Sequence, residues 1–178
     1  MSYITTAELA DRPGAREIAQ VASTALQAGR DDALMDATLR GTDRSAWTPE
    51  QIALADAALA RVQDAVAEAG ALIDGFVAQG GHALPLTLPP SSAGKSVLTA
   101  WARAITRYLL NQSRITDEAK DPVARDYRDA LRMLGLVAQG KFSLGAADPA
   151  ASGAASATDV RFSAAAPVFG RAQLQAFR

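Results

Sequence analysis

Gly94-Lys95-Ser96, in the stretch "PPSSAGKSVLTAW", reads as the end of a phosphate-binding loop, so nucleotide chemistry is the first possibility to test. The full signature is G-x-x-x-x-G-K-[ST], and its first glycine falls on Pro89, with Pro90 next. Proline has no N–H to offer a phosphate and its φ is fixed, so the usual cradle of backbone amides does not form. Such a loop also follows a buried strand, and "LPLTLPP" is too rich in proline for a central one. The spacing predicts instead that Ser91, Ser92 or Ser96 caps a helix, with Gly94 as a turn residue and Lys95 solvated. A small helical nucleotide-binding protein using Lys95 stands as the alternative from another class.

The other reactive residue types are few. The chain has no cysteine, which excludes disulfides, thiolate metal sites and a cysteine nucleophile. Its single histidine, His82, lies in a loop flanked by glycine and proline with no adjacent nucleophile pattern, and is expected to be solvated or capping. The acids are scattered, and none joins a histidine at metal-ligand spacing. Asp31-Asp32 and Asp117-Glu118 read as turn and cap chemistry. We therefore expect no catalytic site, no metal and no cofactor.

Lys+Arg 18 against Asp+Glu 19 leaves a net charge of −1, which writes no strong attraction to nucleic acid or an anionic membrane into the totals. The arginines lack interleaved aromatics, so a DNA-binding regulator, which needs a basic face, is not indicated. No apolar run approaches the ~18 residues that span a bilayer, and "MSYITTAELADR" is no secretory leader, so a soluble protein made in a cytoplasm is expected. Aromatics at 6% and abundant alanine favour a helical scaffold over a sandwich or barrel.

Those helices can be placed along the chain. "TTAELADRPGAREIAQVAS" predicts two short helices, the first capped by Thr5 or Thr6 and broken at Pro13-Gly14. Residues 28–47 have mixed periodicity and several turn residues, and are expected to form a connector with one helical turn. "TPEQIALADAALARVQDAVAEAGALIDGFVAQGG" is the clearest element: Thr48 caps, Pro49 takes the first position, Gln51 completes a capping box, and Gly80-Gly81 stops it. Ile52, Leu59, Val66 and Ile73 recur every seventh residue, with Ala55, Val62, Ala69 and Phe76 between them. The pattern fits the central helix of a bundle, or alternatively an intermolecular coiled coil.

A third helix is predicted over 96–111 with Val97, Trp101, Ile105, Tyr108 and Leu109 inward. A fourth begins at Asp121-Pro122 and carries Val123, Tyr127, Leu131, Leu134 and Val137 or Ala138 as its stripe, ending at Gly140-Lys141. Arg125, Asp126, Arg128, Asp129 and Arg132 lie mainly off that stripe. They form either a solvated, salt-bridged face or a charged contact between subunits, for which Arg125, Arg128, Asp129 and Arg132 are the candidates. The expected fold is thus all-α: a bundle of about four main helices over residues 1–144, followed by a distinct segment, 145–178.

That last segment opens with "GAADPAASGAASATD", which has too few large apolar residues to order itself. It ends in "VRFSAAAPVFGRAQLQAFR", where Phe162, Val168, Phe169, Leu174 and Phe177 alternate with Arg161, Arg171 and Arg178. A spacer ending in apolar anchors and arginines suits docking on another molecule, with folding back onto its own domain as the other reading. Phe162, Val168, Phe169, Arg171, Leu174 and Phe177 are the candidate partner-binding residues. Ordering such a segment costs more backbone entropy than a handful of anchors returns, so docking also requires backbone hydrogen bonds or many tails engaging at once.

The order of the segments resembles the small neck proteins of Mu-like phages and prophages. The stretches that carry the resemblance are "YITTAELADRPGAREIAQV", "ALIDGFVA", "LPL", "ARAITRYLL", "VARDYRDALRMLGLVAQGKFSL" and "PVFGRAQLQAF". The resemblance implies a virion head–tail connector, an adaptor or head-completion protein. Such a protein forms a homo-oligomeric ring, dodecameric by the same resemblance, beneath the portal protein. It extends the DNA channel without specific recognition of DNA and offers a platform to the next neck component, a stopper or tail terminator. It implies neither a membrane nor an enzyme. Another neck or tail-completion position, such as the stopper itself, is the alternative within this class.

Overall fold

The structure is a computed structural model that describes residues 2–23, 31–89 and 91–145. Among these residues every regular element is helical, in agreement with the all-α expectation. In chain order they are α1 (Thr6–Leu9), α2 (Ala15–Ala22), α3 (Asp32–Arg40), α4 (Pro49–Gln79), α5 (Ala93–Asn111) and α6 (Pro122–Ala138).

Each helix begins where its local chemistry dictates. Thr5 caps α1 in a reciprocal box with Glu8. A kink separates α1 from α2, with Arg12 outside helical geometry and Gly14 at φ +110°, a conformation open to glycine and strained for other residues. Thr48 and Gln51 cap α4 in a second reciprocal box with Pro49 at the first position, as predicted, and the helix runs for 31 residues, roughly 45 Å. Asp121 caps α6, its carboxylate accepting from the N–H groups of Val123 and Ala124 at 2.7 and 3.3 Å.

Two expectations need correction. The 28–47 connector contains a full helix, α3, whose N-cap Asp31 accepts from Ala33 and Leu34 N–H and also from the Trp47 indole N–H at 2.6 Å. Gly41, at φ +66°, ends it in the left-handed conformation. Gly94, read as a turn residue, lies buried in the first turn of α5, which starts at Ala93 with Ser92 as its cap. The burial of Gly94 has a packing cause. A Cβ there would lie 1.9 Å from the Leu144 carbonyl oxygen, so only glycine lets the chain after α6 return across α5.

The core is built by α4, α5 and α6 against one another, with α2 and α3 packed on them and α1 packed on α3. Val62, Ala69, Ile73 and Val77 of α4, Leu98 and Ile105 of α5, Leu134 and Val137 of α6, and Leu144 are nearly inaccessible. The N-terminal segment is tied in by Thr99 Oγ1–H donating to the Tyr3 carbonyl at 3.0 Å and by the Tyr3 hydroxyl donating to Asp74. Burial, then the hydrogen bond and the Asp74 charge, raise the Tyr3 phenol above its ordinary range. Arg107 holds Glu17 through two nitrogens at 2.7 and 3.0 Å and so locks α5 to α2.

The predicted α4 seam is half right. Val62, Val66, Ala69 and Ile73 are buried, whereas Ile52, Ala55, Leu59 and Phe76 are only half-buried and no residue before Ala58 is buried. A strict heptad drifts around a straight helix by ~20° per repeat, so a single packed line cannot follow it along this length. On α5 the inward face is Gly94, Leu98, Ala102 and Ile105; Val97, Trp101, Tyr108 and Leu109 sit at its margin. On α6, Leu134 and Val137 are buried as expected. They are joined by Ala124 and Ala130, while Val123, Tyr127, Leu131 and Ala138 are half-buried.

Candidate functional site

Spacing by three and four residues brings Arg125, Arg128 and Arg132 onto one outward side of α6, opposite Leu134. Arg125 meets Asp126 at 3.0 Å and Arg132 meets Asp129 at 3.4 Å, with the two arginine side chains 66% and 74% exposed. Pairs this exposed stabilise little. Arg128 differs: its guanidinium donates to the Glu118 and Ala124 carbonyls at 3.1 and 3.4 Å and meets no carboxylate among the described residues. The four residues expected at a subunit contact, Arg125, Arg128, Asp129 and Arg132, thus share one solvent-facing ridge. Beside it Tyr108 and Tyr127 stack with centroids 3.9 Å apart. The Tyr108 hydroxyl donates to Glu118 at 3.0 Å, which raises its pKa.

The outer side of α4 was not singled out by sequence periodicity, because alanine counts as apolar whichever way it points. Ala53, Ala57, Ala60, Ala67 and Ala71 are all exposed and succeed one another by three or four residues, with Asp64 completing the run and Glu68 beside it. Asp64, Glu68 and Arg61 border a groove of about 270 Å³ floored by Val21, Ala22, Leu109 and Leu110. A second groove, about 480 Å³, runs between the N-terminal segment and α4, lined by Ile4, Val66, Ala67 and Ala71 with Asp74 at its edge.

The motif that suggested nucleotide chemistry is arranged otherwise. Ser92 Oγ already accepts from the Lys95 N–H at 3.2 Å, the Leu144 carbonyl presses on Gly94, and Lys95 stands exposed at a cleft of about 210 Å³ shared with Tyr3, Leu86 and Leu98. His82 is buried rather than solvated, at 8% exposure, because the chain folds back after Gly80-Gly81 and its ring lies against Gly80. Among the described residues no group of histidines and acids is placed to hold a metal ion, and no helix is long and apolar enough to cross a membrane. The expected docking residues Phe162, Val168, Phe169, Arg171, Leu174 and Phe177 lie outside the described residues.

Comparison with known proteins adds to this geometry. The family model for Bacteriophage Mu, Gp36 matches residues 3–162. The chain is also similar to the Mu-like prophage FluMu protein gp36 of Haemophilus influenzae, with 36% identity over 123 residues, 69% of this chain and 78% of the relative.

Proposed function

The chain belongs to the Bacteriophage Mu Gp36 family and is a Mu-like phage protein, and from that footing we propose that it is a structural head–tail connector with no catalytic activity. In this reading copies of the chain assemble as a ring under the portal and extend the DNA channel. The next neck component, a stopper or tail terminator, binds to their far side. The C-terminal residues from Phe162 to Phe177 dock on the portal.

The observation that carries the reading is the exposed ridge on α6. A ring contact needs a directional, solvent-facing surface, and the ridge supplies one: Arg125 and Arg132 are largely exposed, and Arg128 is held by backbone carbonyls and by no carboxylate among the described residues. A near-neutral chain also suits a channel through which DNA slides without being gripped.

Co-sedimentation of the purified chain with the portal ring of the same phage tests the proposal, with the full-length protein beside a truncation ending at Gly145. Binding by the full-length chain alone supports both the connector role and tail docking. Binding by both keeps the role and moves the docking surface to the helical body. Binding by neither removes the portal-proximal position and favours the stopper or tail-completion alternative.

A further inference from the structure

We propose that the two outward faces meet between copies: the alanine face of α4 around Asp64 and Glu68 receives the arginine ridge of α6 from a neighbouring chain. This rests on the reading of the protein as an assembling structural component. The α4 face is unusual for a surface helix, whose outward side is ordinarily charged. Ala57, Ala60, Ala67 and Ala71 surrender almost no side-chain entropy when covered, and they let a second helix approach to about 8 Å.

Charge identifies what covers it. α4 carries Glu50, Asp56, Asp64, Glu68 and Asp74 against Arg61 alone, and Arg61 turns back to the Ala57 carbonyl at 3.2 Å. Asp56 is paired with Arg44 and Asp74 accepts from Tyr3, but Asp64 and Glu68 have no hydrogen-bond or ion-pair partner among the described residues. On α6 the sign is reversed by a smaller margin, three arginines against Asp126 and Asp129: Arg125 and Arg132 pair with these two but stay largely exposed, and Arg128 meets no carboxylate among the described residues. An anionic face and a cationic ridge on different helices of one chain make a head-to-tail contact. A joined pair then keeps one free face of each kind, so further copies add in the same sense and a ring results where the rotation between copies closes.

Because the chain has no cysteine, single cysteines can report the contact. Ala67→Cys on α4 and Arg132→Cys on α6 are prepared separately in the full-length chain, mixed and oxidised. The expected product is the mixed disulfide, in roughly tenfold excess over either homodimer. Adding Asp64→Arg and Glu68→Arg to the first protein should abolish that excess. Adding Arg125→Glu and Arg128→Glu to the second should then restore it. Circular dichroism melting confirms that each variant is folded.

Statistical cross-linking, preferred homodimers, or no rescue by the paired reversal overturns the proposal. So does absence of the mixed disulfide combined with salt-dependent retention on duplex DNA that Arg125→Glu and Arg128→Glu remove, since the ridge would then serve a polyanion. Random cross-linking by a chain that still co-sediments with the portal overturns this pairing alone. The mixed disulfide in a chain that ignores the portal keeps the pairing and overturns the connector role.

Discussion

A methyl group at Gly94 would stand 1.9 Å from the Leu144 carbonyl oxygen and 2.9 Å from its carbon, so Gly94→Ala forces main chain rather than a flexible side chain to move. The cheapest escape is release of the segment carrying Phe142 and Leu144 from α5. That caps the cost near the burial of those side chains, about 2–4 kcal/mol, measured as a lower urea midpoint. Leu144→Ala should then add little in the Gly94→Ala background while costing about 2–3 kcal/mol alone. Additive losses would mean that Gly94 and Leu144 do not share the contact. No local pattern foretells this role, because the partner of Gly94 arrives from the far end of the folded body. Asp31 is the second revealing position. Its carboxylate lies below the usual range, first because the Trp47 indole donates to it and then because Leu34 and Ala33 N–H groups do. A depressed folded-state pKa contributes stability that is present above the unfolded value and lost as pH falls through the folded one. Asp31→Ala should cost about 1–2 kcal/mol at neutral pH. The gap between variant and parent should narrow as pH falls below about 4, where the unfolded parent takes up a proton that the folded carboxylate accepts only at lower pH. A gap that is constant from pH 7 to about pH 3 would count against the carboxylate as its source.

The elements differ in how plainly they could be read before folding. α4 and α6 announce themselves through caps, proline at the first position and long stripes, and their bounds came out almost unchanged. α3 spans only nine residues, too few turns for periodicity to stand out, although its Asp31 cap and Gly41 stop were both in view. Its inward set of Leu34, Met35, Thr38 and Leu39 becomes evident once α2, α4 and α1 are in place to cover it. The candidate faces divide in the same way. The α6 arginines could be picked out by charge, whereas the α4 face could not, since exposed and buried alanines are alike in sequence. The uneven burial along α4 yields a graded test. Ile73→Ala, at a fully buried position, should cost about 2–5 kcal/mol, while Leu54→Ala, 42% exposed, should fall within about 0.5 kcal/mol of the parent. Equal losses at the two sites would show the core running the full length of the helix. A near-neutral Leu54→Ala that nevertheless weakens the α4–α6 cross-link would show this end of α4 contributing to the contact between copies.

On the scale of the whole molecule the question is where the folded body stops. Composition placed the boundary after Leu144, and Leu144 itself is 2% exposed and joins the core, while Phe142 packs its ring against Trp101 with centroids 5.6 Å apart. A terminus at Leu144 would set a new carboxylate beside a buried side chain, which is unfavourable without a partner. Ending the chain at Gly145 avoids that, so residues 1–145 should unfold cooperatively with a midpoint within a few degrees of the full chain. Ending at Lys141 removes both Phe142 and Leu144 and uncovers Gly94 and Trp101. The expected loss of about 2–4 kcal/mol corresponds to a drop of roughly 5–15 °C for a body of this size. The two truncations together separate a body closed by its own residues from one that depends on the C-terminal segment. If 1–145 melts well below the full chain, residues after Gly145 stabilise the bundle directly, and the C-terminal anchors belong on their own domain rather than on the portal. If 1–145 melts like the full chain, the segment from Phe162 to Phe177 contributes nothing measurable to the isolated subunit. Its apolar side chains and arginines are then available to a partner, and the portal co-sedimentation experiment reads that partner directly.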